Sequence, residues 1–298
     1  MPKVTPSEVP PLTIHGGKLL NRLRVAAEAL LGEHGGILKR LEIGWTSIPI
    51  VNACAVRRGD ATAIALNVRL NNLLGPATFL GLAISENMAM GRSDEAHSLY
   101  HRLLTVLRAA NQPNFDDALA KAKPFPSFKD FRWSLRLAQV QLVFVLMHEC
   151  AHIALGHLDK PAYWEGHPLS DDQFAFLSGS ANAEFEADEF AARMIMDHSK
   201  WPSMCAAVSD ALYSLFDSQR PANWLVPVLL ILLFVWLHAM TPTARNDYYK
   251  IPRSHPHPFD RADRILALMQ NSDDFFDKRS AQTFRNVYFR WFETLEPT

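Results

Sequence analysis

Two histidines and a glutamate stand inside a stretch that is otherwise apolar, Val143-Phe144-Val145-Leu146-Met147-His148-Glu149-Cys150-Ala151-His152-Ile153-Ala154. No other feature restricts the fold as tightly. A run this apolar belongs in a core, where ionisable side chains without partners are costly. On a helix, His148 and His152 share one face, with Cβ atoms about 5–6 Å apart. Two imidazoles so placed can grip one metal ion. Glu149 then lies one position round the turn, beside the metal's open position, where a carboxylate can take a proton from water. The chain must therefore fold around a helix that carries a metal site.

A zinc hydrolase site usually has three protein ligands, so a third must come from elsewhere. His157 follows His152 by five residues, which turns a helix by about 500° and carries it off the ligand face. Its spacing also misses the metzincin pattern, in which the third His comes six residues after the second. It reads as a residue following a Gly156 cap, at most an outer partner. The better source is Glu184-Phe185-Glu186-Ala187-Asp188-Glu189-Phe190-Ala191. Here Phe185, Phe190, Ala191 and Met194 can pack inward while Glu184 and Asp188, four apart, share a face. Glu184 is the expected third ligand, with Glu186 as the alternative, and Asp188 is the carboxylate that orients a ligand imidazole. His97 and His101 are also four apart, but their surroundings are polar and no Glu follows the first, so they read as exposed.

The composition, 48% hydrophobic and 20% charged, suits one large globular domain or two modest ones. With 30 basic and 31 acidic residues and no long block of like charge, no nucleic-acid partner is expected. Three widely spaced cysteines, Cys54, Cys150 and Cys205, argue against a disulfide framework and for a reducing compartment. No secretory h-region precedes Leu19. The expected location is cytoplasmic.

Taken in order, residues 1–13 carry four prolines and read as an irregular lead-in. Residues 19–31 have helical apolar spacing and end near Gly32. Two β-like runs, 48–56 and 61–70, flank a hairpin turn at Arg57-Arg58-Gly59-Asp60, and 76–88 are ambiguous between helix and strand. Ser93 reads as the N-cap of a helix running to about Ala110. Residues 111–128 read as a loop. Beyond it the pattern predicts helices over 129–156, 182–198, 202–217, 224–239, 258–270 and 274–294. The expected organisation is an N-terminal α/β subdomain with a β-hairpin (1–110), a loop (111–128) and a helical core (129–298). The uncharged stretch from Trp224 to Leu237 would form a helix of about 21 Å, against roughly 30 Å of membrane hydrocarbon. It reads as a buried helix, with membrane association through 224–240 as the alternative.

Taken together, His-Glu-Cys-Ala-His-Ile-Ala-Leu-Gly-His at 148–157, Glu-Phe-Glu-Ala-Asp at 184–188 and Ser-His-Pro-His-Pro-Phe-Asp-Arg at 254–261 resemble, in order and spacing, the gluzincin metallopeptidases, in particular the phage-exclusion Lit-type peptidases. The likeness is sharp over 140–200 and fair around 254–268. It implies an α+β, mostly α-helical fold, with a small N-terminal β-sheet or hairpin on a gluzincin-type core. It also implies Zn²⁺ held by His148, His152 and Glu184, with Glu149 as general base and acid. A His-Pro segment with an Arg six residues on lies by the cleft in such enzymes; His255 and Arg261 match it as oxyanion donors, while His257 and Arg264 offer a second alignment. The other reading of this segment is a proline-primed helix start whose arginines pair with the acidic helix. The implied function is zinc-dependent endopeptidase action on an intracellular protein in phage defence, with an activating phage or regulatory protein as a possible partner. HtpX-type membrane peptidases share the three motifs, and 184–191 is similar to a helix of the IrrE-like regulatory proteases. A membrane-associated quality-control peptidase, a protease acting on a repressor and a non-enzymatic metal-stabilised sensing module are the alternatives.

Overall fold

The computed structural model describes residues 17–46, 53–58, 61–110, 112–121, 128–159, 163–164, 167–168, 181–208, 256 and 258–271. The described part is mostly helical with one small three-stranded sheet. Helix α1 (Lys18–Leu31) places Leu20, Leu23, Ala27, Leu30 and Leu31 on its buried face and stops at Gly32, whose φ of 53° favours glycine. Strand β1 (Glu42–Thr46) follows, then β2 (Ala53–Arg58) and β3 (Ala61–Asn67). β2 and β3 form the expected antiparallel hairpin, with Arg58 opposite Ala61 and Ala55 opposite Ile64. β1 lies parallel to the far side of β3, giving the order β1-β3-β2. β1 is an addition to the predicted elements.

The second β-like run ends earlier than predicted. Asn67 caps α2 (Val68–Ala89), its side chain accepting the Arg69 N–H at 2.7 Å, and the chain turns from strand to helix there. The ambiguous stretch 76–88 is therefore helix. Residues 73–81 of α2 are buried all along, which is why their sequence shows no clear period. α3 (Ser93–Ala109) begins at Ser93 itself, and Arg92 takes the capping position without a side-chain hydrogen bond. The predicted loop contains a short helix, α4 (Phe115–Lys121), anchored by buried Phe115. A two-stranded ribbon, β4 (Tyr163–Trp164) with β5 (His167–Pro168), lies in the connection between the predicted helices 129–156 and 182–198 and is a further addition to the predicted elements.

Helix α5 (Phe128–Ala154) is the central element. It packs against α2, α1, β2 and β3, and against α6 (Ala181–Met196). Val143, Phe144, Leu146, Met147, Cys150 and Ala151 are all fully buried, so the helix is apolar on every side. By length and composition Ser134–Ala154 could cross a membrane, but 83% of its most apolar window is covered by the protein. α7 (Trp201–Val208) and α8 (Pro258–Gln270) complete the described helices. One continuous apolar core runs through α1, the sheet, α2, α3, α5, α6 and α8. The stretch 224–240 and the predicted helix 274–294 lie outside the described residues.

Candidate metal centre

The site is built where α5 and α6 cross. α6 presents Ala183, Ala187, Ala191 and Ala192 as its buried face, so its backbone comes close to α5. Of the residues expected to pack inward, Ala191 is in the core and Phe190 and Met194 pack partly buried against it, Phe190 also edge-on to His34, whereas Phe185 is half-buried beneath the Arg264 guanidinium. Alanines allow the close approach that lets a short carboxylate on one helix reach an imidazole on the other.

Glu184, in the first turn of α6, meets both histidines of α5. Its Oε2 is 3.4 Å from His148 Nε2 and its Oε1 is 3.6 Å from His152 Nε2, while the two Nε2 atoms are 3.1 Å apart. All three residues are buried, and this is the cluster among the described residues that could hold a metal ion. Donors about 2.0–2.2 Å from a tetrahedral ion stand about 3.3–3.6 Å from one another. The two nitrogen–oxygen separations fall in that range and the Nε2–Nε2 separation is about 0.2 Å shorter, and the donor chemistry of two imidazoles and a carboxylate suits the ion.

Behind His148, its Nδ1 lies 2.9 Å from Asp188 Oδ1. Asp188 is gripped in turn by Arg261, from the first turn of α8, with Nε to Oδ2 and Nη2 to Oδ1 both at 2.7 Å. Arg261 Nη1 is 3.8 Å from Glu184 Oε2. The arginine thus pairs with the acidic helix, the second of the two roles its sequence position allows. Arg264 is exposed, and its guanidinium carbon stands 4.1 Å from the Phe185 ring centre. Of the two candidate arginines, Arg261 faces the cluster. His255 and His257 lie outside the described residues.

Behind His152 the arrangement differs. The helix ends at Ala154, Gly156 adopts φ 69°, and the chain folds back into a 3₁₀ turn, His157–Asp159. The buried His157 ring reaches His152, Nδ1 to Nδ1 at 3.0 Å, and its Nε2 meets Glu186 Oε2 at 3.0 Å. Glu186, the alternative ligand, has a 60% exposed side chain and contacts His157. The Ala55 N–H of β2 donates to Glu149 Oε2 at 2.6 Å. A backbone amide leaves no trace in a sequence, and nothing before the fold could have named it.

Charge is distributed unequally across these groups. Burial opposes a charged His148, yet hydrogen bonds to Asp188 and Glu184 prevail and lift it to about 9. His152 is held down at about 3, by burial and then by charged His148. Burial raises Glu149 to about 7; His148 and the Ala55 amide oppose this and Glu184 adds to it. Burial works against ionised Asp188 as well, but Arg261 overrides it and keeps the carboxyl below the usual range. The pocket favours one positive charge close to Glu184, as a cation site should. Burial, followed by Glu149, pushes the Cys54 and Cys150 thiols up, so neither serves as a thiolate near neutrality. His97 and His101 lie away from the cluster: His97 Nδ1 bonds the Ser93 carbonyl, and His101 is exposed.

The fold and its cluster define a helical protein with a buried His, His, Glu site at a two-helix crossing and a further buried carboxyl, Glu149, beside it. A sequence model described as Peptidase U49 matches residues 85–279, about two thirds of the chain, and the protein belongs to that peptidase family. No curated protein and no solved structure matches.

Proposed function

We propose that the protein is a zinc-dependent endopeptidase that cleaves an intracellular protein as part of phage defence. The observation that carries the catalytic part is the mutual spacing of His148 Nε2, His152 Nε2 and Glu184, with Glu149 adjacent. Membership of a peptidase family and the HECAHIALGH, EFEAD and SHPHPFDR segments supply the reaction class. Those segments, through their likeness to Lit-type peptidases, also supply phage defence. The free thiols of Cys54 and Cys150 support the cytoplasm as the location.

In this reading His148, His152 and Glu184 hold the ion. A bound Zn²⁺ supplies a Lewis acid that polarises a carbonyl and acidifies water. Glu149 accepts the proton of the attacking water and passes it to the leaving amine. A buried carboxyl with a pKa raised to about 7 is matched to both halves of that task. Asp188 keeps a proton on His148 Nδ1, so that Nε2 offers its lone pair to the ion, and Arg261 holds Asp188 in place. The free edge of β2 pairs with no strand among the described residues and faces α5 through Ala55. An extended substrate added along it would run past Glu149.

The test is N-terminal profiling of the proteome in cells that express wild type or Glu149→Gln. New protein termini are expected with wild type alone, while the purified Gln variant retains zinc. A zinc-loaded Gln variant that generates the same termini would refute the assignment of the base.

A further inference from the structure

The zinc reading rests on histidine lone pairs, and lone pairs depend on where protons sit. For His148 the carboxylate of Asp188 settles the matter, since it can only accept. For His152, among the described residues, the group behind it is not a carboxylate. Its Nδ1 faces another ring nitrogen, His157 Nδ1, at 3.0 Å. Two neutral imidazoles meeting in this way need one N–H and one lone pair, and the contact alone does not choose between them. Glu186 does. Its Oε2 lies 3.0 Å from His157 Nε2, and a carboxylate there requires that nitrogen to carry the proton. Neutral His157 then presents a lone pair at Nδ1, His152 must donate from its own Nδ1, and His152 Nε2 is left open towards Glu184.

We propose that His157 and Glu186 form a positioning relay that fixes the tautomer and ring orientation of His152 for metal binding. The inference deepens the zinc reading and depends on it. The two ligand histidines are thereby held in unlike ways. His148 is backed by a buried carboxylate locked to Arg261, and His152 by a neutral ring whose polarity is set from a carboxylate 60% exposed to water. The relay needs a chain reversal directly after α5, which Gly156 supplies with its φ of 69°. His157 is 6% exposed, so its ring has little freedom to turn away.

The experiment measures zinc affinity of the full-length protein by chelator competition for wild type, His157→Ala, His157→Gln and Glu186→Ala. It also reads the ¹⁵N shifts of selectively labelled histidines in the zinc-free protein. Loss of an outer partner of this kind costs about 10–100-fold in metal affinity, and that loss is expected for His157→Ala. The Gln variant can accept from His152 through its oxygen and donate to Glu186 through its nitrogen, so it should recover most of the affinity. Glu186→Ala should weaken zinc by a smaller factor, and the His152 ring should lose its single protonated Nδ1 form in the Ala variants. Wild-type affinity in His157→Ala, or an equal loss in the Ala and Gln variants, would overturn the relay while leaving the zinc site intact. Wild type with no zinc affinity would remove the reading underneath it.

Discussion

Arg261→Met tests whether the buried ion pair behind His148 organises the site. The substitution keeps an unbranched apolar stem but removes the fork that binds both oxygens of Asp188 at 2.7 Å. Asp188 is 1% exposed and Arg261 6%, so water cannot replace the lost partner. Removing one member of a buried pair leaves an uncompensated charge and costs about 3–5 kcal/mol. For a chain of this size that corresponds to a fall in Tm of roughly 5–8 °C. The assay is urea or thermal unfolding of the zinc-free protein, so that metal linkage does not mask the change. Arg261→Met combined with Asp188→Leu strands neither charge and should regain much of the lost stability. It should still bind zinc poorly, because His148 Nδ1 has lost its acceptor. The pH dependence follows from the depressed Asp188 carboxyl. The folded state holds the charged form, so the contribution is present above the ordinary value of 3.8 and is lost as pH falls through the lower folded value. A single Arg261→Met variant within about 1 kcal/mol of wild type, on a scale where ordinary surface changes stay within about 0.5 kcal/mol, would refute the reasoning. So would a double variant no more stable than the single.

In zinc-free protein the His148 shift makes stability present below 6.5 and lost as pH rises towards 9. Glu149 adds a loss between 4.5 and 7, which the rise from depressed His152 between 3 and 6.5 largely offsets. Thermal melts should therefore show a plateau from about 4.5 to 6.5 and a decline above it, worth on the order of 3 kcal/mol by pH 9 at about 1.4 kcal/mol per unit. Zinc should reverse the slope, since the ion requires deprotonated ligands; parallel pH profiles with and without zinc would contradict this. Glu184→Gln should lower zinc affinity by at least the 10–100-fold expected of an outer partner, as read by chelator competition, while far-ultraviolet circular dichroism stays unchanged. Asn67→Ala removes the side-chain cap of α2 and should cost about 1 kcal/mol in urea unfolding.

The features legible in the sequence are those written in side-chain periodicity. α8 spans the expected 258–270 and α6 matches prediction to within two residues, because each combines an apolar stripe with recognisable ends, and α5 does so through a long apolar run that stops near Gly156. Glu184 and Asp188 could be paired with His148 and His152 since the i, i+4 spacing fixes a face before any fold is known. β1 could not be found this way. It has five residues, carries a glycine, and exists through parallel pairing with β3 some twenty positions on. α4 was hidden by the proline- and asparagine-rich composition around it, which obscured the buried Phe115 that anchors it. Helical geometry sets His157 off the face shared by His148 and His152, but its return to His152 depends on the chain reversal at Gly156. Periodicity does not describe such a reversal.

The amide of Ala55 carries a consequence for how this protein will respond to genetics. It holds the Glu149 carboxylate, the proposed proton acceptor, yet it belongs to the main chain, and residue 55 lies outside the segment that the family model covers. Replacing alanine by serine or glycine keeps the N–H, so a scan of side chains will score this position as silent towards Glu149. Only removal of the hydrogen itself, by proline or by an ester bond in a semisynthetic chain, would expose it. An inventory of functional positions compiled from substitutions would therefore omit one of the contacts that aims Glu149.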